Sequence, residues 1–123
     1  MAVNEQGNKN MDLIEIIREH DAAVIVLTMA RLDAAVAPAF KQAVVQVIES
    51  GERRLLLDLE QVKFLDSSGL GAMVSILKAL GPQGAIAVCN ARGAVNTLFH
   101  LTRMDKVFTI VASRADGLAR LGK

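Results

Sequence analysis

The chain has 123 residues, of which 52% are hydrophobic, and its formal net charge is +1. This length and apolar content are typical of a single domain with one hydrophobic core. So small a net charge does not attract the phosphate backbone of nucleic acids, and the absence of Trp and Tyr removes the aromatic platforms on which single strands stack. Composition therefore argues against direct nucleic-acid binding.

The sequence also argues against a membrane or exported protein. No uninterrupted apolar stretch approaches the roughly 18 residues that a membrane-spanning helix needs, and no basic segment followed by an apolar one marks the N-terminus. The single cysteine, Cys89, lies in the apolar run Ala85–Cys89 and is interpreted as a core side chain. We therefore expect a cytoplasmic protein that does not insert into a membrane.

The predicted elements begin with an arm and a hairpin. Residues 1–11 are predicted to be a flexible N-terminal arm because they are polar and without periodicity, and residues 12–123 are predicted to form a single domain. Apolar residues within 13–17 and 23–27 predict two strands, with a turn at residues 19–21.

After the hairpin, helices and strands alternate. The first helix is indicated by Val36, Phe40 and Val44 at helical spacing, with Pro38 in its first turn. Helices are predicted over residues 36–50, 68–80, 93–102 and 115–121, and strands over residues 54–59, 85–89 and 107–111. This order predicts an α/β fold with a mixed β-sheet, right-handed crossovers and helices packed against the sheet.

The segment Asp66-Ser67-Ser68-Gly69-Leu70-Gly71 opens the second predicted helix. Asp and Ser are good N-cap residues, whereas each glycine costs roughly 0.8–1 kcal/mol relative to alanine inside a helix. We therefore expect a close approach at these glycines. The N-terminus of a helix also favours an anion, so a phosphate on Ser67 would be tolerated there and would add a charge of about −1.5 to −2.

Three segments resemble one known family. Residues 62–71 are similar to the phosphorylation motif of the STAS domain family, the sulfate transporter and anti-sigma factor antagonist domains, and specifically of its stand-alone bacterial anti-sigma factor antagonists. Residues 30–33 and 101–108 are similar to two further hallmarks of that family. The likeness runs from about Leu13 to Leu121, although Ala30 stands where the family commonly has glycine.

This resemblance implies a STAS-like mixed sheet and a partner-switching function. An anti-sigma factor that is also a serine kinase would bind the unphosphorylated protein and inactivate it by phosphorylating Ser67, and a serine phosphatase would reverse this step. Asp33 would lie close to Ser67. No cofactor is expected, because the nucleotide and its metal ion belong to the kinase. The predicted partner-binding residues are Asp33, Asp66, Ser67, Ser68, Gly69 and Gly71.

Other interpretations remain open to different degrees. Catalysis by Ser67 is disfavoured because Leu65 stands where a nucleophile elbow needs glycine, and neither His20 nor His100 belongs to a metal-ligand cluster. We therefore expect neither catalytic nor metal-binding residues. The main alternative is a STAS adaptor or scaffold subunit of a sensory complex or membrane transporter. Ser68 as the acceptor and weak nucleotide binding also remain possible, and Asp58 is left outside the predicted site.

Overall fold

The central feature of the fold is a five-stranded mixed sheet, seen in a computed structural model that describes residues 13–122. The arm predicted over residues 1–11 lies outside the described residues. In spatial order the strands are β1 (Ile14–Glu19), β2 (Ala22–Leu27), β4 (Arg54–Asp58), β6 (Ala85–Cys89) and β7 (Thr109–Val111). β1 is antiparallel to β2 in the predicted hairpin, and all other neighbours are parallel.

Within residues 13–122, four α-helices cover the two faces of this sheet: α1 (Ala37–Glu49), α2 (Ser67–Leu80), α3 (Gly93–Leu101) and α4 (Arg114–Leu121). The larger hydrophobic cluster joins α1, α2 and α3 to one face through buried side chains such as Phe40, Met73 and Phe99. The smaller cluster joins α4 to the opposite face through Leu121 and Leu56. The central strands are continuous apolar runs because both of their faces are covered. The α/β fold with a mixed sheet is thus confirmed.

A second, small sheet near the site was not predicted. Residues Arg31–Leu32 and Phe64–Leu65 form two very short parallel strands, β3 and β5, which pair with each other in a separate sheet.

No helix among residues 13–122 has the length and apolar content needed to cross a bilayer.

The last predicted strand, residues 107–111, was wrong at its start. A 3₁₀ helix at Met104–Lys106 precedes it, and the amide of Phe108 donates a hydrogen bond to the carbonyl of Met104 at 2.8 Å. Because this turn occupies the backbone of residues 107 and 108, the strand begins only at Thr109. The apolar character of Phe108 reflects its burial in the core instead.

Asp58, at the end of β4, is the one buried charged residue of the described chain, with 1% of its surface exposed. Its Oδ2 accepts a hydrogen bond from Arg114 Nη2 at 2.8 Å, and its Oδ1 accepts from Asn90 Nδ2 at 3.0 Å and from the amide of Glu60 at 3.1 Å. Burial alone raises the pKa of Asp58, but these hydrogen bonds outweigh it and hold the pKa below its ordinary value. Asp58 therefore ties β4 and the end of β6 to the start of α4.

We expect Asp58→Asn to lower the free energy of unfolding by about 2–3 kcal/mol, since it leaves the Arg114 guanidinium, which is partly exposed, without its counter-ion. Because the folded pKa of Asp58 lies below 3.8, its ionised form stabilises the fold above that pH and the contribution is lost as the pH falls further. Urea unfolding at pH 7 and between pH 4 and 2 measures both effects.

The exposed Asp21→Asn variant is the control for this experiment. It is expected to keep the acid sensitivity of the wild type, whereas Asp58→Asn flattens it. An unchanged acid slope in Asp58→Asn would contradict the stabilising role of the ionised carboxylate.

Candidate functional site

The pairing of β3 with β5 assembles the candidate site. Arg31 pairs with Phe64 and Leu32 with Leu65, and the amide of Asp66 donates to the carbonyl of Leu32 at 3.4 Å. Asp33 directly follows β3, and Asp66 directly follows β5. The two polar segments singled out in the sequence therefore lie side by side, next to the start of α2.

Arg31 and Phe64 form an exposed surface at this site. The Arg31 guanidinium lies 4.0 Å from the centre of the Phe64 ring, which is a cation–π contact, and its Nε lies 3.4 Å from Asp33 Oδ2. Phe64 is 38% exposed, which is high for a phenylalanine. Neither residue was among the predicted site residues, although both lie within the segments that carry the resemblance.

Asp33 also organises the backbone that leads into α1. Its Oδ1 accepts a hydrogen bond from the amide of Ala35 at 3.1 Å, and its carbonyl accepts from the amides of Val36 and Ala37. This turn fixes the carboxylate beside β3. The second carboxylate oxygen remains directed at Arg31.

Asp66 is the N-cap of α2, as its residue type predicted. Its Oδ1 accepts a hydrogen bond from the amide of Gly69 at 3.0 Å. Ser67 and Ser68 are the first two residues of the helix and both are exposed. No described residue forms a hydrogen bond with either hydroxyl, so both serine Oγ atoms are open to a reagent or a partner.

The two glycines of the segment differ in their surroundings. A Cβ at Gly69 would lie 2.5 Å from the carbonyl oxygen of Leu32 and 2.5 Å from Leu65 Cδ1. A Cβ at Gly71 would meet nothing within 4 Å. The close approach expected here is therefore internal at Gly69, which is buried beneath the site, whereas Gly71 is exposed and leaves open surface on α2.

A shallow groove of about 340 Å³ runs between α1 and α2 beside this surface. Ala37, Pro38 and Lys41 line it from α1, and Ser68 and Ala72 line it from α2. Small apolar side chains and one lysine give the groove a surface suited to a protein segment more than to a catalytic reaction.

Groups that would support other chemistry lie elsewhere. Burial raises the pKa of the Cys89 thiol to about 12, and this agrees with its predicted place in the core. His100 Nδ1 lies 3.2 Å from Asp105 Oδ2, and His20 lies in the hairpin turn. Among residues 13–122, no group of three or more His, Cys, Asp or Glu side chains is arranged to hold a metal ion.

Comparison with known proteins identifies the class. The sequence model of the STAS domain matches residues 15–117, so the chain belongs to the STAS domain family. It is 27% identical over 103 residues to the anti-sigma-F factor antagonist RsfB of Mycobacterium tuberculosis, covering 83% of this chain and 84% of that relative. It is 24% identical over 111 residues to the anti-sigma F factor antagonist of Paenibacillus polymyxa, covering 88% of this chain and 95% of that relative.

A solved structure shows the same likeness in three dimensions. The crystal structure of an anti-sigma factor antagonist from Mycobacterium paratuberculosis matches with a TM-score of 0.82 and 28% sequence identity, covering 89% of this chain and 93% of that one. The STAS-like fold implied by the three sequence segments is thus confirmed, and relatives of similar length carry the name of the subfamily that the sequence indicated.

Substitution of the two glycines by alanine is expected to have opposite effects. Gly69→Ala should lower the free energy of unfolding by about 1–3 kcal/mol, because the new methyl group collides with the backbone of β3. Gly71→Ala should raise it by up to about 1 kcal/mol, because alanine favours the helix and meets open space. Urea unfolding of both variants measures the difference, and equal effects would refute the internal contact at Gly69.

Proposed function

We propose that this protein is an anti-sigma factor antagonist that binds an anti-sigma factor with serine kinase activity while unphosphorylated, and that phosphorylation of Ser67 switches it off. The observation that carries the proposal is the exposed Ser67 hydroxyl, which directly follows the N-cap Asp66 and forms no hydrogen bond with any described residue. The names of the relatives and the resemblance of residues 62–71 to the family's phosphorylation motif support the same function.

The surface around Ser67 is suited to protein binding. The exposed Phe64 ring supplies apolar area, Gly71 leaves α2 accessible, and the groove beside Ser68 accepts a projecting side chain. Asp33 supplies a polar contact at the edge. Apolar area with a polar rim is the usual composition of a protein interface, and burial of this area is the source of the proposed affinity.

A phosphate on Ser67 would change the charge of this surface without unfolding the domain. The free amides and dipole of the α2 N-terminus stabilise a negative group, and the Ser67 side chain is already in solvent. Asp33 and Asp66 nearby add to the negative charge that a partner would meet. We therefore assign the switch to repulsion and desolvation at the interface, not to a change of fold.

In this function, acceptor, kinase and phosphatase are three different proteins. This chain offers an acceptor hydroxyl and a docking surface, so it acts as a binding protein in the cytoplasm and not as an enzyme. The kinase supplies the nucleotide and its metal ion. A serine phosphatase removes the phosphate and restores binding.

We expect Ser67→Ala to abolish phosphorylation while retaining partner binding, and Ser67→Asp to weaken binding by about tenfold or more because it introduces a charge at the interface. The tagged protein is used to capture its partner from the source bacterium with ADP or ATP present. Site-resolved phosphopeptide analysis and titration calorimetry with the purified partner then give the modified residue and the affinity.

Ser68→Ala is the matched control, because Ser68 is the next exposed hydroxyl of the same helix. It should still be phosphorylated. Stoichiometric phosphate on Ser67→Ala would move the acceptor to Ser68, and capture of only transporter or receptor components would favour the adaptor function instead.

Phe64→Ala is expected to weaken partner binding by about tenfold or more, because aromatic side chains at the centre of an interface contribute strongly to affinity. Ile17→Ala is the control, since Ile17 is similarly exposed at 37% but lies on the edge strand β1. Calorimetry with the captured kinase measures both variants. Equal affinity of Phe64→Ala and the wild type would remove Phe64 from the proposed interface.

A further inference from the structure

A second concave surface lies at the opposite edge of the main sheet from Ser67. It occupies the place where α1 ends, β4 and β6 begin and α4 ends, and its volume is about 470 Å³. Clefts that hold small molecules commonly have volumes of 300–1,000 Å³. We call this surface the arginine cleft, because Arg53, Arg54 and Arg120 line it.

The charges of the arginine cleft do not cancel. Its two carboxylates belong to Asp21 and Glu52. Asp21 Oδ2 lies 3.5 Å from Arg54 Nη1, and Glu52 Oε2 lies 2.6 Å from the Nε of Arg18, which approaches from outside. Each carboxylate thus already has a cationic partner. Within residues 13–122, Arg53 and Arg120 are left without a counter-ion.

Arg53 is held in place by hydrogen bonds with the backbone. Its Nη1 donates to the carbonyl oxygens of Ile48 at 3.1 Å and of Glu52 at 3.0 Å, at the end of α1. Its own carbonyl accepts a hydrogen bond from the amide of Ala85 at 2.8 Å, which fixes its backbone to β6. No described residue accepts a hydrogen bond from its Nε or Nη2, so these donors remain available.

Arg120 is the second arginine of the cleft without a counter-ion among residues 13–122, and it comes from α4. It is an exposed residue in the last turn of α4, and no residue among 13–122 accepts a hydrogen bond from its guanidinium. The side chain of Gln83, in the loop before β6, adds an uncharged donor to the same cleft.

We propose that the arginine cleft binds a small molecule bearing phosphate groups. Planar guanidinium groups donate paired hydrogen bonds that match phosphate oxygens, and two uncompensated arginines balance a dianion. A small ligand is favoured over nucleic acid because the net charge of the whole chain is only +1. The site is separate from the proposed switch, because the Ser67 segment follows the carboxyl end of β4 and the cleft lies at its amino end.

Titration of the ¹⁵N-labelled protein with inorganic pyrophosphate, followed by NMR, tests the proposal. We expect saturable shifts of the amides of Arg53, Gly84 and Ala85 and of the arginine Nε–H groups. Arg120→Gln should weaken binding by about tenfold, because it removes charge-assisted hydrogen bonds. Lys106→Gln, the same loss of charge at an exposed residue of the 3₁₀ helix, should leave the affinity unchanged.

Three results would overturn the proposal. One is the absence of saturable shifts around the cleft. Another is an equal loss of affinity in Lys106→Gln, which would show a general charge effect. The third is saturable binding of citrate but not of pyrophosphate, which would assign the cleft to carboxylates. If Arg120→Gln does not fold, Arg120→Lys is used, and it must also weaken binding because lysine lacks the planar fork.

Discussion

The contact between Gly69 and Leu32 is the constraint on which the site depends. A methyl group at position 69 would fall 2.5 Å from the Leu32 carbonyl oxygen, so the first turn of α2 can rest on β3 only if this residue is glycine. The contact fixes how closely the first turn of α2 packs against the sheet formed by β3 and β5. It thereby leaves Ser67 and Ser68 exposed in the first turn of α2, directly after the capping residue Asp66.

Much of the fold was predictable because its elements are long enough to show periodicity. The apolar stripe of α1 predicted a helix with one buried face, and the continuous apolar run of β4 predicted a strand covered on both faces. The strands β3 and β5 were not predictable, since two residues form no pattern. The start of β7 was also misplaced. Phe108 is apolar because it is buried after a 3₁₀ turn, and sequence alone does not separate that cause from a strand.

The features of the site that depend on neighbouring residues in the sequence were predictable. Those that depend on tertiary contacts were not. The cap formed by Asp66 follows from residue type and position. The cation–π contact of Arg31 with Phe64 joins residues that only the β3–β5 pairing brings together. Asp58 shows the same limit. It was left outside the predicted site because its sequence neighbours did not show its role, whereas Arg114, 56 positions later, makes its burial possible.

The two proposed phosphate sites lie at opposite ends of β4, and their surroundings explain why only one of them would need a covalent bond. At the start of α2 the Asp66 carboxylate occupies the Gly69 amide, so an untethered anion meets only the helix amides that the cap leaves free, against the negative charge of Asp66 and of Asp33 after β3. In the proposed switch, the covalent bond to Ser67 holds the phosphate in place, so its presence would report the action of a kinase. At the arginine cleft, Arg53 and Arg120 have no counter-ion among residues 13–122, so the phosphate group proposed for this cleft would bind reversibly according to its concentration. The same fold can thus keep an enzymatic signal and a concentration signal apart.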